Sequence, residues 1–472
     1  MLVIALRARK LLGGLLIVSA SLVRAGERQV TRDADWNHEL DNNDNFSPDD
    51  RFLVFDTRPA ETAIIRGRVI AKVEIATGQT TVLYRAEPAG EFGPGVGAAG
   101  YAPDRDEVVF IHGPLRPSSP ADQYEKHRRC GMIAAGDGSG RVRFADARDV
   151  RPPFTPGALR GGTHRHEFSG DGEWLGFTYN DEVIRAHGLA IGRNLDLRTI
   201  GVTRLGRPVR VPPQAQFPDH ADGFSVLVVS VTPDPAPGSD EISHAAGDSW
   251  VGSAGYLKPD GTRQRARAFI GTTRDAAGTP LDELFIVDIP EDVTRPGPLG
   301  PLQGTPTQLP APPAGAVQRR LTRTADAPHP GCQGIVRCSP DGSRIAFRMR
   351  DDRGQWQVFL MSPLGGTPEQ VTRLDGGVTG GPRWHPSGKT LFCIAGSRIV
   401  ATCVEPGPRF GHSAVLIDRD PPPYALVVSR DGNTLAYNRV VKTAGRDVSQ
   451  IFVMDCRHAD GQDRDEPNSH NR

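Results

Sequence analysis

The sequence predicts an all-β ring of repeated four-stranded antiparallel units, a β-propeller, and three observations carry the prediction. A turn of the Ser-Pro-Asp-Gly kind recurs six times, each copy followed by a short apolar strand. The copies recur with further strands at a spacing of about 40 to 60 residues, the length of one propeller blade. The N-terminal region also carries Arg28-Gln29-Val30-Thr31-Arg32, a near copy of Glu369-Gln370-Val371-Thr372-Arg373, and the last unit lacks such a strand.

The turn copies are FSPDD (46–50), YAPDR (101–105), FSGDG (168–172), CSPDG (338–342), WHPSG (384–388) and VSRDG (428–432). Proline presets φ, aspartate can bond the backbone two residues on, and glycine permits φ > 0. The strands that follow are 52–56, 107–113, 174–180, 344–350, 390–396 and 434–438. Third strands read at 72–75, 283–288, 358–361 and 450–455, and polar fourth strands at 318–323 and 369–373. One such unit cannot bury its own faces, so the units must pack in a ring. A pair of sandwiches is the alternative, and the similarity between copies argues against it.

The least regular unit is the fourth. Phe224 to Thr232 reads as its inner strand and Ala266 to Gly271 as its second. Residues 233–252 between them, rich in Pro, Gly and acids, read as a surface loop. Pro114–Ala121 is a further excursion and Pro296–Gly315 a Pro-rich linker. Six turns plus this unit predict seven blades, or six if it is mostly insertion. The N-terminal strand is expected to complete the last blade and so remove the free edges.

Around this ring, residues 1–25 read as a secretory signal peptide: Arg7, Arg9 and Lys10, a 13-residue apolar run from Leu11 to Val23, then Val23-Arg24-Ala25. The run is too short to favour a membrane span. The reading makes 26–460 one propeller domain, 461–472 a disordered polar tail, and the mature protein a soluble, periplasmic or secreted monomer. Lys plus Arg equals Asp plus Glu, 56 each, so nothing pulls the chain toward nucleic acid. The 54 glycines and 41 prolines suit a domain full of tight turns. Six scattered cysteines make no disulfide framework. Cys332 and Cys338, six apart in one strand, would lie roughly 20 Å apart, too far to bond.

These motifs resemble the TolB-type propeller repeat. Longer stretches, among them LVFDTRP (53–59), TPGALRGGTHRHEFSGDG (155–172), TPDPAPGSDEI (232–242) and ELFIVDIP (283–290), resemble a bacterial family of uncharacterised TolB-like propellers, the YidR type. That resemblance implies a propeller with no established activity. The TolB likeness implies, at most, partner binding in a periplasmic envelope complex.

The densest chemistry is His164-Arg165-His166, just ahead of a turn. Side chains at i and i+2 of a strand share a face, so both imidazoles are expected at the channel mouth. Such a pair suits a divalent transition metal, with His220 as a further ligand and Asn43, Gln333 and His127 as candidates from other inner strands or loops. The pattern also resembles the metal-binding histidines of propeller oligogalacturonate lyases, which implies a metal-dependent enzyme on acidic carbohydrate. The plainer reading is that both histidines bond neighbouring blades or channel water, with no cofactor. Tyr124 to Arg129 clusters cations with an aromatic; it reads as an anion site using His127 and Arg129, or as a solvated loop. Asp240, Glu241, His244 and Asp248 read as an exposed acidic loop or a hard-cation site. No GxSxG, HExxH, Walker loop or dinucleotide fingerprint is present. The main expectation is a non-catalytic binding or scaffolding propeller whose axial face meets an envelope protein or carbohydrate ligand; the metal-dependent enzyme is the alternative.

Overall fold

The computed structural model describes residues 26–41, 44–59, 63–87, 90–443 and 445–457. The apolar leader 1–25, Asn43 and the polar tail 461–472 lie outside the described residues. Seven small antiparallel sheets form seven blades of a propeller. Blade 1 pairs Phe52–Asp56, Val69–Glu74 and Thr80–Arg85, with Glu39 and Phe46 bridging to its inner edge. Blade 2 holds Val96–Tyr101, Glu107–His112, Cys130–Ala135 and Val142–Phe144. Blade 3 holds Gly161–Phe168, Trp174–Asp181, Arg198–Arg210 and His220–Leu227. Blade 4 holds His244–Trp250, Ala266–Arg274, Pro280–Asp288 and Val317–Arg320. Blade 5 holds Cys332–Cys338, Ile345–Arg350, Trp356–Met361 and Glu369–Gln370. Blade 6 holds Arg383–Trp384, Thr390–Ala395, Arg398–Cys403 and Ser413–Asp418. Blade 7 holds Tyr424–Val428, Thr434–Thr443 and Arg446–Asp455, and Arg28–Gln29 is its fourth strand.

The recurring turn works through its serine. Ser47 donates to Asp49 (2.6 Å) and accepts from the Phe52 N–H (3.0 Å). Ser339 does the same with Asp341 and the Arg344 N–H, and Ser429 with Asp431 and the Thr434 N–H. The motif therefore ties the end of each inner strand to the start of the next, using side-chain bonds that compete well with the backbone at a turn.

Burial explains why the units ring up. The large apolar clusters sit between blades rather than within them. Val54, Ile70, Val108 and Phe110 join blades 1 and 2. Trp174, Val202, Phe269 and Phe285 join blades 3 and 4. Phe392, Leu435 and Phe452 join blades 6 and 7. The ring closes where the sequence placed the closure: Arg28 pairs with Val453 and Gln29 with Phe452. Val30, Leu40 and Phe46 then pack with Val427, Ala436 and Ile451.

Blade 4 differs from expectation. The apolar run at 224–232 does not form its inner strand; Phe224 to Leu227 belong to the outer strand of blade 3, opposite Gly201 to Arg204. The inner strand of blade 4 is His244–Trp250, inside the stretch that reads as a loop. The physical reason is packing. Val226 and Val228 are buried in the wedge between blades 3 and 4, so an outer strand there carries the apolar character expected of an inner one. Six free cysteines complete the picture, as expected from their spacing.

Candidate anion site at the channel mouth

The inner strands surround the axis, and the long connections of blades 2 and 3 crowd one end of it. In blade 2, residues 113–129 link the second and third strands. In blade 3 the same link contains the helix Glu182–Ala190, capped by the Asp181 carboxylate accepting from the Ile184 N–H at 2.8 Å. Ion pairs weld the two excursions, Arg128 to Glu182 (3.0 Å) and Lys126 to Asp196 (2.8 Å), and Arg148, on the connection between the two blades, adds one to Glu182 (3.7 Å).

Tyr124 is set in a slot formed by the backbone at Gly93, Gly95 and Gly113; a Cβ on Gly95 would stand 3.0 Å from its ring. It is 8% exposed. Its hydroxyl is buried facing the Arg129 guanidinium, and burial pushes its pKa up to about 12. The Arg129 guanidinium lies 5.0 Å from the Tyr124 ring centre, a cation–π distance. Its Nε and Nη1 are also out of solvent without a hydrogen-bond acceptor. His164 completes the group. Burial, then the charges of Arg129, Arg198 and Arg165, hold its pKa well below the ordinary value, and its Nδ1 has no partner. Arg198 donates to Asn180 (3.2 Å) and borders an adjoining cleft of about 520 Å³ lined by Asp196, Asp234, Ser243 and His244. An imidazole held neutral beside the Arg129 guanidinium, two of whose nitrogens lack an acceptor, suits a bound anion.

The expected His164/His166 pair is split. His164 stands opposite Thr178 and Glu167 opposite Gly176, which leaves Arg165 and His166 together against Phe177. Arg165 adopts φ 55°. This bulge breaks the period of two: His164 takes the Thr178 side of the sheet and His166 the Phe177 side. His166 is wedged toward blade 2, 3.8 Å from Asp146 and 6.2 Å from the Phe177 ring centre. His220 lies on the outer strand of blade 3, exposed, with its Nδ1 2.8 Å from Asp219. Gln333 is exposed on the inner strand of blade 5. His127 is buried in the blade 2 excursion, its backbone carbonyl accepting from Arg148 at 3.1 Å. The acidic group of blade 4 is dispersed as well: Asp240 binds Arg323 at 2.9 Å, while Asp248 binds Arg267. Among the described residues no three His, Cys, Asp or Glu side chains converge to hold a metal ion. The residues present therefore do not fit the metal site that the lyase resemblance implies. Sequence reasoning singled out Arg129 and His164 but not Arg198, which carries no local motif.

This ring of seven blades of small antiparallel sheets is a β-propeller. The chain is 41% identical over 421 residues to the uncharacterised protein YidR of Escherichia coli (strain K12), spanning 87% of this chain and 94% of that one, and it belongs to that family. Residues 95–218, which contain Tyr124, Arg129, His164 and Arg198, match a family described as a protein of unknown function, DUF3748. Among solved structures, an oligogalacturonate lyase in complex with manganese is similar over 93% of this chain and 98% of that one, with TM-score 0.52 and 9% identity, a likeness of fold. TolB from Acinetobacter baumannii aligns more loosely, over 86% of this chain and 64% of that one at 14% identity and TM-score 0.36.

Proposed function

We propose that this propeller is a non-catalytic binding module that holds an anionic ligand, carboxylate or phosphate, at the channel mouth beside blades 2 and 3. One observation carries the reading: the Arg129 guanidinium, beside Tyr124, keeps its Nε and Nη1 out of solvent with no hydrogen-bond partner among the described residues. Unpaired buried donors are costly, and a ligand oxyanion offsets that cost. The neutral His164 can donate or accept beside it. The basic and apolar make-up of residues 1–25 supports export, which places such a ligand in the envelope; no helix among the described residues is long and apolar enough to cross a membrane.

The test is calorimetric titration of the purified protein with galacturonate, inorganic phosphate and neutral galactose, beside Arg129→Ala. Binding of an acid but not of galactose, lost in the variant, supports the reading. Failure of every acid to bind sinks it. Trigalacturonate incubated with the protein, followed by ultraviolet absorbance of an unsaturated product, separates a binder from a lyase: turnover would overturn the non-catalytic assignment.

A further inference from the structure

The segment that carries Arg129 is held by one buried cation. Arg148 lies on the connection between the last strand of blade 2 and the first of blade 3, and its side chain is wholly out of solvent. Its Nη1 donates to the His127 carbonyl at 3.1 Å, and its Nη2 donates to the Arg129 carbonyl. The Thr163 N–H, on the inner strand of blade 3, donates to that same Arg129 carbonyl at 3.2 Å. The two backbones are pressed together there: a Cβ on Gly162 would collide with the Lys126 carbonyl oxygen and stand 2.8 Å from the His127 carbonyl carbon. Arg148 is itself fixed from the far side. The Phe217 ring centre lies 4.1 Å from its guanidinium carbon, and the Gln214 amide donates to its backbone carbonyl.

A cation buried there for stability alone would be better paired. Its carboxylate partner, Glu182, stands 3.7 Å away and is already held by Arg128 at 3.0 Å. The Arg148 Nε is buried with no hydrogen-bond partner among the described residues. Taking a charge out of water costs more than such loose pairing returns, and an apolar side chain of similar volume often replaces it without loss of stability. What an apolar side chain cannot do is grip two carbonyls, two residues apart, from one planar fork. One of those carbonyls belongs to Arg129, whose guanidinium lies 5.0 Å from the Tyr124 ring centre.

We infer that Arg148 is the positioning residue of the mouth: by clamping the carbonyls of His127 and Arg129 it sets where the Arg129 guanidinium stands against Tyr124 and the inner strand of blade 3. This rests on the reading of the mouth as an anion site. Arg148 itself meets no ligand, because its side chain is out of solvent.

The experiment compares wild type with Arg148→Met and Arg148→Lys. Methionine keeps much of the volume and the contact with Phe217, and lysine keeps the charge but not the fork. Each protein is titrated calorimetrically with galacturonate and inorganic phosphate and melted thermally. The His164 imidazole is followed against pH by carbon NMR of histidine-labelled protein, its signal assigned by its absence from His164→Gln. Both variants are expected to melt cooperatively, Arg148→Met close to wild type, and to bind acid about tenfold more weakly. In both, the Arg129 charge bears less on His164, so that imidazole takes its proton at a higher pH than in wild type. A lowered melt with the His164 titration in place marks a merely structural residue and overturns the proposal. So does unchanged affinity in Arg148→Met or full recovery in Arg148→Lys, and the lysine variant decides should the methionine variant not fold. If wild type binds neither acid, the mouth reading fails and the His164 titration alone decides. A titration unmoved in both variants then overturns the positioning role, and a raised one upholds it.

Discussion

Asn438 is one of the side chains through which the two ends of the chain hold each other, and its removal tests how the ring is closed. It is fully buried in the second strand of blade 7. Its Oδ1 accepts from the Leu40 N–H at 2.8 Å, and its Nδ2 donates to the carbonyls of His38 (2.7 Å) and Gln450 (3.2 Å). Leu40 and His38 are themselves buried. Asn438→Ala strips these groups of partners in a place water does not reach. An orphaned buried group costs about 1–3 kcal/mol. The Leu40 N–H and the His38 carbonyl lose their only side-chain partner among the described residues, so the sum is about 3–5 kcal/mol. Urea unfolding followed by circular dichroism measures it, as a lower midpoint at unchanged slope. Hydrogen exchange locates it: faster exchange should concentrate at residues 28–40 and in blade 7. A loss under about 1 kcal/mol, or exchange that rises evenly round the ring, would refute the idea that this residue fastens the closure.

Three further outcomes follow from the same geometry. Burial pushes the Glu39 carboxyl up to about 7, above its ordinary 4.5. The folded state therefore binds that proton more tightly, and stability falls as pH rises from 4.5 to 7. Buried His38, pulled down to about 4, acts in the opposite sense up to 6.5, so the comparison of wild type with Glu39→Gln isolates the carboxyl: the variant should lack the decline, and parallel pH profiles would contradict it. Gly131→Ala places a Cβ 2.8 Å from His166 Nε2 and 2.9 Å from Asp146 Oδ1. This overpacking should cost about 1–3 kcal/mol in a thermal melt, relieved in part by His166→Ala; an unshifted melt would mean that blades 2 and 3 are not in contact there. Burial raises the pKa of Cys130, Cys332, Cys338 and Cys393, the last three to about 12. These thiols should resist a disulfide reagent until the protein unfolds, and rapid native labelling of Cys393 would contradict its burial.

The ring was legible because its signals are local and repeated. Each Ser-Asp turn carries its own hydrogen bonds, and the strand after it carries the apolar run, so six blades announce themselves. The closure was legible because Arg28–Arg32 repeats an internal fourth strand. Blade 4 was misread because its inner strand, HAAGDSW, holds a glycine at its bulge and no turn motif behind it, while the apolar outer strand of blade 3 lay just upstream. The site was half legible. Arg129 and His164 stand in conspicuous clusters, but the bulge at Arg165 has no glycine to mark it, and that one residue decides which way His164 and His166 face. Arg198 joins them only through the path of the backbone across blade 3.

The pairing of Arg28–Gln29 with Phe452 and Val453 also sets an order in time. The first strand to leave the ribosome is the last to find its partner, and more than four hundred residues must be in place before it can. Until then the growing chain offers a bare strand edge at each end of an open arc. A chain that stops short of Arg446 can never shed those edges, since the third strand of blade 7 is missing. Truncated copies should therefore be read as sticky intermediates rather than as smaller propellers, and helpers that shield unpaired strands should matter most during the interval between the sixth blade and the seventh.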